Sequence, residues 1–191
     1  MAPENRLPPR YEELLDLPEY LLGQIIDGDV IITSWPANRQ VVAHSDLLFQ
    51  LSSAFMLGRT GPGGWWILSR MELHVGDDVL VPSILGWRKE SMPAVPDLPY
   101  FTQAPDWVCE VISPITEELD RKRKPVIYAR EGVGHLWLVD ASKRTLEVLQ
   151  RQERQWVQRG TYSGEELVRA EPFEAVELEL GALWAPMEQA P

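Results

Sequence analysis

The sequence predicts a mixed α/β (α+β) fold with a single mixed β-sheet flanked by helices. Three observations carry that prediction. Short apolar runs and turn signals follow one another in the order hairpin, helix, strands, central strand, helix, strands, with no repeat and no low-complexity linker. The run Trp107–Ile112 is almost continuously apolar, the pattern of a strand covered on both faces. The chain of 191 residues is 45% hydrophobic and 25% charged, enough to bury one independent core and unlike a disordered, collagen-like or coiled-coil chain.

Each element has a local reason. Residues 10–17 read as a short amphipathic helix stopped by Pro18. Leu21–Ile26 and residues 30–33 flank Asp27-Gly28-Asp29, and Asp-Gly between apolar runs signals a hairpin. Asn38 is placed to cap a helix reaching about Leu57, with Val42, Leu47, Leu48, Leu51 and Phe55 on one face and Gly58 as its stop. After a turn at residues 61–64, residues 65–75 and 79–86 read as two strands around Gly76-Asp77-Asp78. Residues 90–105 hold four prolines and read as a long surface loop, of a length that points to a functional edge or partner contact. Ser113 or Thr116 can cap the helix that follows the central strand and ends at Gly132. His135–Asp140, Thr145–Gln152 and residues 155–162 form a meander, and residues 176–180 an edge strand. One domain over residues 10–184 is expected, with tails at 1–9 and 185–191.

Composition excludes several function classes. No apolar run approaches the ~20 residues that cross a bilayer, and Met1 to Arg6 contain no apolar segment of a signal peptide. Cys109 is alone, so no internal disulfide forms and a cytoplasmic setting is expected. A net charge of -11 opposes indiscriminate nucleic-acid binding but leaves room for a local basic groove. His44, His74 and His135 lack zinc-ligand spacing, and the phosphate-loop, dinucleotide and nucleophile-elbow motifs are missing. Cys109, inside an apolar strand, reads as an inert buried thiol.

Glu110 breaks the pattern of its own strand, where an unpaired carboxylate would be costly to bury. It either meets solvent or a cation at the strand end, or it belongs to a metal or substrate site. Arg121-Lys122-Arg123-Lys124 follows a few residues on. Such a run is commonly a solvated helix face, yet beside Glu110 it could supply phosphate contacts and a catalytic lysine.

These residues sit in longer motifs: Val79-Leu80-Val81-Pro82; Pro105-Asp106-Trp107-Val108-Cys109-Glu110-Val111-Ile112-Ser113-Pro114; Asp120, Lys124 and Tyr128 through Val133; and Leu136-Trp137-Leu138-Val139-Asp140. Together with the hairpin at Ile26-Asp27-Gly28 they resemble the Uma-type family of putative restriction endonucleases, within the PD-(D/E)XK nuclease superfamily, over roughly residues 10–184. The resemblance implies a restriction-endonuclease-like core and Mg²⁺- or Mn²⁺-dependent hydrolysis of DNA. It implies Glu110 as metal ligand and catalytic carboxylate, the backbone carbonyl of Val111 as a further ligand, and Lys124 as catalytic base or phosphate clamp. Arg121, Lys122 and Arg123 would then be phosphate contacts.

Two positions depart from the family's pattern. Ser83 stands where the family has the Asp after Pro82, and Gln24 stands where it has a glutamate. Asp78 and Asp106 cannot step in, being about 17 Å and about 13 Å away at strand rise. Pro125 biases Lys124 away from helical geometry. Glu110, Ser83 and Gln24 are expected in one pocket that Lys124 reaches from the next helix. Two readings follow: a DNA endonuclease with a partly eroded metal site, or a catalytically inactive nuclease-fold protein acting as a homodimeric binding or regulatory module.

Overall fold

The computed structural model describes residues 8–184 and Pro186, so most of both expected tails lies outside the described residues. A short helix α1 (Glu12–Leu15) leads into the hairpin β1 (Leu21–Ile26) and β2 (Asp29–Ser34). Helix α2 (Asn38–Leu51) continues into a π-helical turn at Ser52–Met56. The chain then makes β3 (Trp65–Ser69), β4 (Glu72–Val75), β5 (Asp78–Leu80), β6 (Ile84–Arg88), β7 (Tyr100–Phe101) and β8 (Trp107–Ile112). A second π-helical turn (Leu119–Arg123) runs into α3 (Lys124–Glu131). β9 (His135–Asp140), β10 (Thr145–Gln152), β11 (Gln155–Ser163), β12 (Leu167–Val168), β13 (Leu178–Glu179) and α4 (Leu180–Leu183) complete the order.

The expected single sheet is three sheets among the described residues. Five strands run in the order β2-β1-β5-β4-β7, six in the order β11-β10-β9-β8-β6-β3, and β12 pairs with β13. The cause is a break in each strand of one hairpin. Residues 65–75 bend at Arg70, which takes a left-handed φ of 52°, so β3 enters one sheet and β4 the other. Residues 79–86 part in the same place at Val81-Pro82-Ser83, before β6 begins. The Arg70 N–H donates to the Ser83 carbonyl at 3.3 Å, tying the two crossings together.

β8 lies inside the six-stranded sheet, antiparallel to β6 and parallel to β9, and is buried at every residue. Its alternation sorts the two faces. Trp107, Cys109 and Val111 join the core beneath α2. Val108 and Ile112 join the core beneath α3, with Ile127, Tyr128, Leu136 and Leu138. Glu110 has the parity of Val108 and Ile112, so it points at α3.

Several elements differ from expectation for identifiable reasons. Ala37 stands at the start of α2 and no side chain caps it, Asn38 being already helical. Val42 is exposed, while Ala43, His44, Leu47, Leu51, Ala54 and Phe55 face inward, because the buried stripe of α2 runs through 43, 47 and 51 and residue 42 falls at its solvent edge. Residues 90–105 are not simply a surface loop. Tyr100 and Phe101 pair with β4 as a sheet edge, and Met92 is buried beside them. The edge strand expected at 176–180 shrinks to two paired residues before α4. Lys124 keeps ordinary helical angles (φ -58°, ψ -42°) despite Pro125. Proline lacks an N–H and its ring collides with the carbonyl four residues back in a regular helix. Here Lys124 N–H donates to the Leu119 carbonyl, a five-residue spacing, and the wider turn accommodates the ring. No helix among the described residues is long and apolar enough to cross a membrane.

Phe173 seals the α2 side, its ring 4.7 Å from Phe55, 4.8 Å from Trp65, 5.0 Å from Trp107 and 5.5 Å from Trp137. Phe173→Ala should cost about 3–5 kcal/mol of stability, measured by urea denaturation. A loss below about 1 kcal/mol would mean that this cluster does not hold the sheet.

Candidate functional site

A cavity opens where the two strands change sheets. Its wall includes Gln24 from β1, Gln40 from α2, Arg70 and Ser83 from the crossings, Glu110 and Val111 from β8, and Asp120 and Lys124 from the helical segment. About 50 Å³ of it admits water-sized spheres, room for a few waters or the tip of one phosphate group.

Glu110 is 2% exposed and both its oxygens are engaged. Oε1 accepts from Lys124 Nζ at 3.1 Å and from the Tyr128 hydroxyl at 2.5 Å. Oε2 accepts from the Ser83 N–H and Oγ, each at 3.3 Å. Ser83 Oγ in turn accepts from the Val111 N–H at 3.0 Å. Lys124 Nζ also lies 2.9 Å from Asp120 Oδ1, an ion pair off the axis of a good hydrogen bond. Gln24 accepts from the Val81 N–H at 2.9 Å, fixing the approach to Ser83. Ser83, Glu110, Gln24 and Lys124 therefore meet in one cavity.

The charges interlock. Burial raises the Glu110 pKa, and Lys124 opposes that rise. Burial works against the Lys124 charge too, but Asp120 and Glu110 overcome it and push its pKa up to about 12. The pairing thus stabilises the fold fully below the ordinary lysine value of 10.5, and that contribution is lost as pH rises through about 12. An amine so held is protonated at neutral pH and cannot act as the expected base. Burial drives Tyr128 well above its usual value, so the phenol stays a donor. Cys109 is raised well above its usual value by burial, which makes its thiol inert.

The basic run before Lys124 is committed elsewhere. Arg121 reaches Glu147 at 2.7 Å and Glu117 at 3.3 Å. Arg123 reaches Asp29 at 2.9 Å and the Ile26 carbonyl at 2.7 Å. Lys122 pairs with Glu118 at 3.2 Å on the surface. The structure does not place these expected phosphate contacts on the cavity wall. Asp78 is bound by Arg130 at 2.6 Å, and Asp106 accepts from the Arg88 N–H at 2.8 Å; neither reaches the site. Sequence reasoning assigned no role to Asp120, Tyr128, Gln40 or Arg70. Asp120, Lys124 and Tyr128 stand four residues apart, a spacing that places side chains on one helix face; nothing in the sequence marked Arg70 or Gln40.

The donor set fits Mg²⁺ poorly. Hard divalent cations take several carboxylate or carbonyl oxygens, whereas this wall sets two carboxylates against the cations Lys124 and Arg70. Among the described residues no three acidic, histidine or cysteine side chains gather to hold a metal. The Ser83 hydroxyl is spent on Glu110 and Val111.

Removing the ammonium should therefore leave two buried carboxylates facing each other. Lys124→Met is expected to cost about 3–5 kcal/mol at pH 7. The loss should shrink at pH 5, because Glu110, whose folded pKa burial raises, takes up a proton and stability returns as pH falls. Urea titrations at both pH values check this, and an equal loss at both would show that Glu110 does not carry the effect.

No curated protein matches the chain. A solved structure, described as a putative nuclease belonging to DUF820 from Anabaena variabilis, is similar with a TM-score of 0.71 and 22% identity, covering 91% of this chain and 96% of that one. At that identity the likeness shows the fold. The model of the Uma2 family, described as "Putative restriction endonuclease", matches residues 9–182, and with the motifs around Glu110 and Lys124 in place the chain belongs to that family.

Proposed function

We propose that this chain is a nuclease-fold protein of PD-(D/E)XK type that engages DNA at the Glu110 cavity and hydrolyses phosphodiesters slowly or not at all. The observation that carries the reading is Ser83: a neutral hydroxyl stands against Glu110, at 3.3 Å, where hydrolysis of this type needs a second carboxylate. Hydrolysis requires an activated water and a cation to offset charge on the phosphate oxygens. Lys124 is the only cation beside Glu110 within ion-pair distance among the described residues, and Asp120 and Glu110 already balance it. Its protonated amine can hold charge but cannot take a proton. The complete loss of turnover, leaving a homodimeric binding module, is the limiting form of the same reading. Light scattering on the purified chain reads the dimer directly.

Calorimetric titration should find Mg²⁺ and Mn²⁺ binding weak or absent, and micromolar binding would overturn the reading. Ser83→Asp should lower stability without metal, since it sets a second carboxylate beside Glu110. Added Mn²⁺ should then raise the midpoint of thermal unfolding of that variant and not of the parent, by linkage.

On plasmid DNA with Mn²⁺ or Mg²⁺, cleavage should be slow or undetectable, and Ser83→Asp with Gln24→Glu should raise it. Glu110→Ala should abolish whatever remains. Brisk cleavage that survives Glu110→Ala would remove Glu110 and Lys124 from the mechanism.

A further inference from the structure

We infer that Arg70 is the phosphate contact of this cavity: its guanidinium receives one phosphate group of a single nucleic-acid strand at the cavity mouth, with Trp35 beside it. The inference rests on the reading that the cavity engages nucleic acid, and it names the residue and the chemistry that do so.

Arg70 is unlike the other arginines near the site. Arg121, Arg123 and Arg130 are each locked to carboxylates. Arg70 lines the cavity and is half-buried, yet no carboxylate among the described residues lies within ion-pair distance of it. Its guanidinium lies over the Trp35 ring, 5.2 Å from the centroid. Burial presses down on its pKa and distant Glu110 offsets this only in part. A guanidinium without a fork of oxygens leaves several donors unused, and carboxylate or phosphate is the group that matches them.

The backbone holds Arg70 in place. A left-handed φ of 52° is costly for a residue with a side chain. It persists here because the Arg70 N–H is bonded to Ser83 O and the chain must change sheets at that residue. Trp35 is fixed as well, its Nε1 donating to the Glu19 carbonyl at 2.9 Å, while 46% of the residue stays exposed. An exposed indole beside a free cation is the pairing with which single-strand sites take a base and its phosphate. Gln40 adds a second open position. It is 3% exposed and lines the cavity, and its Oε1 has no partner while its Nε2 reaches Ile112 O only at 3.5 Å. Its unpaired atom is an acceptor, so the donors for an anion are left to Arg70.

The position of the charges decides where the anion sits. Glu110 and Asp120 lie on the buried floor, each 2% exposed and clasping Lys124. A phosphate at the partly open Arg70 meets the unpaired cation first. The small cavity admits the tip of the phosphate and leaves the base outside, against Trp35.

Fluorescence anisotropy in EDTA, with a labelled single-stranded oligonucleotide, tests this on the full chain. Arg70→Ala should weaken binding about tenfold or more. It should also reduce the salt slope of log K by about 0.7, the value of one phosphate contact on a single strand. Arg70→Lys, which keeps charge and stem but loses the fork, should fall between. Trp35→Ala should weaken the single strand more than a duplex of the same sequence. Matching thermal unfolding midpoints ensure that folding is not what is measured, and Arg70→Lys serves where Arg70→Ala unfolds. Unchanged affinity and salt slope in Arg70→Ala would overturn the inference, leaving Arg70 a counter-charge for Glu110. Binding of inorganic phosphate, read by calorimetry, without any oligonucleotide binding would overturn the nucleic-acid source. Oligonucleotide binding is measured on the parent chain in EDTA and plasmid cleavage with Mn²⁺, so failure of the cleavage reading and failure of this one are read separately.

Discussion

Lys124 sits 3% exposed between Glu110 at 3.1 Å and Asp120 at 2.9 Å, and the arrangement of the molecule around it follows from keeping that ammonium charged. A buried amine without anions would lose its proton, and a buried glutamate without a cation would keep one. Each is tolerable only beside the other. That requirement fixes α3 over the parity of β8 that carries Val108, Glu110 and Ile112. It also explains the second π turn: the widened turn accommodates Pro125 and still leaves Asp120 one turn before Lys124. Tyr128, one turn further, donates the remaining hydrogen bond to Glu110 Oε1. The cost of removing one member greatly exceeds the net worth of the set, because what is left behind is an uncompensated charge.

The second constraint is the hairpin that changes sheets. A continuous pair of strands from 65 to 88 would have closed one sheet and left no cavity. The break at Arg70 on one strand and at Val81-Pro82-Ser83 on the other separates the layers beside Glu110. Gln24 fastens this gap through the Val81 N–H, a neutral side chain in a structural role. Neutral side chains now make hydrogen bonds where charged ones would demand a cation.

Much of this was legible in the sequence, and the parts that were not share a cause. Glu110 announced itself by interrupting an apolar run, and parity then assigned its face. The hairpin at Asp27-Gly28, the buried character of β8 and the stop at Gly132 follow from local chemistry, and Gly132 does take a φ of 95°. The three sheets did not show, because a left-handed Arg70 carries no signature: most left-handed turns are marked by glycine or asparagine. The run Arg121-Lys122-Arg123 looked like an anion site because sequence shows charge but not partners. Glu147 lies 26 residues from Arg121 and Asp29 lies 94 from Arg123, and both are found only in the fold. Val42 was misplaced because the small Ala43 carries the buried stripe of α2, one position after the larger side chain that the sequence suggested.

Ser83 then decides how the site is balanced. Its hydroxyl accepts from Val111 N–H and donates to Glu110, so it bridges two strands without bringing charge. An aspartate there would accept the same N–H but would face Glu110 as a second anion, and Lys124 is already shared between two. Such a centre is stable only with a cation added. With serine, Glu110, Asp120, Lys124 and Arg70 sum to zero, so the wall has no charge left for a divalent ion to neutralise. Serine at this position also leaves Arg70 with no carboxylate within ion-pair distance among the described residues, so the unpaired cation of the wall lies on its partly open side.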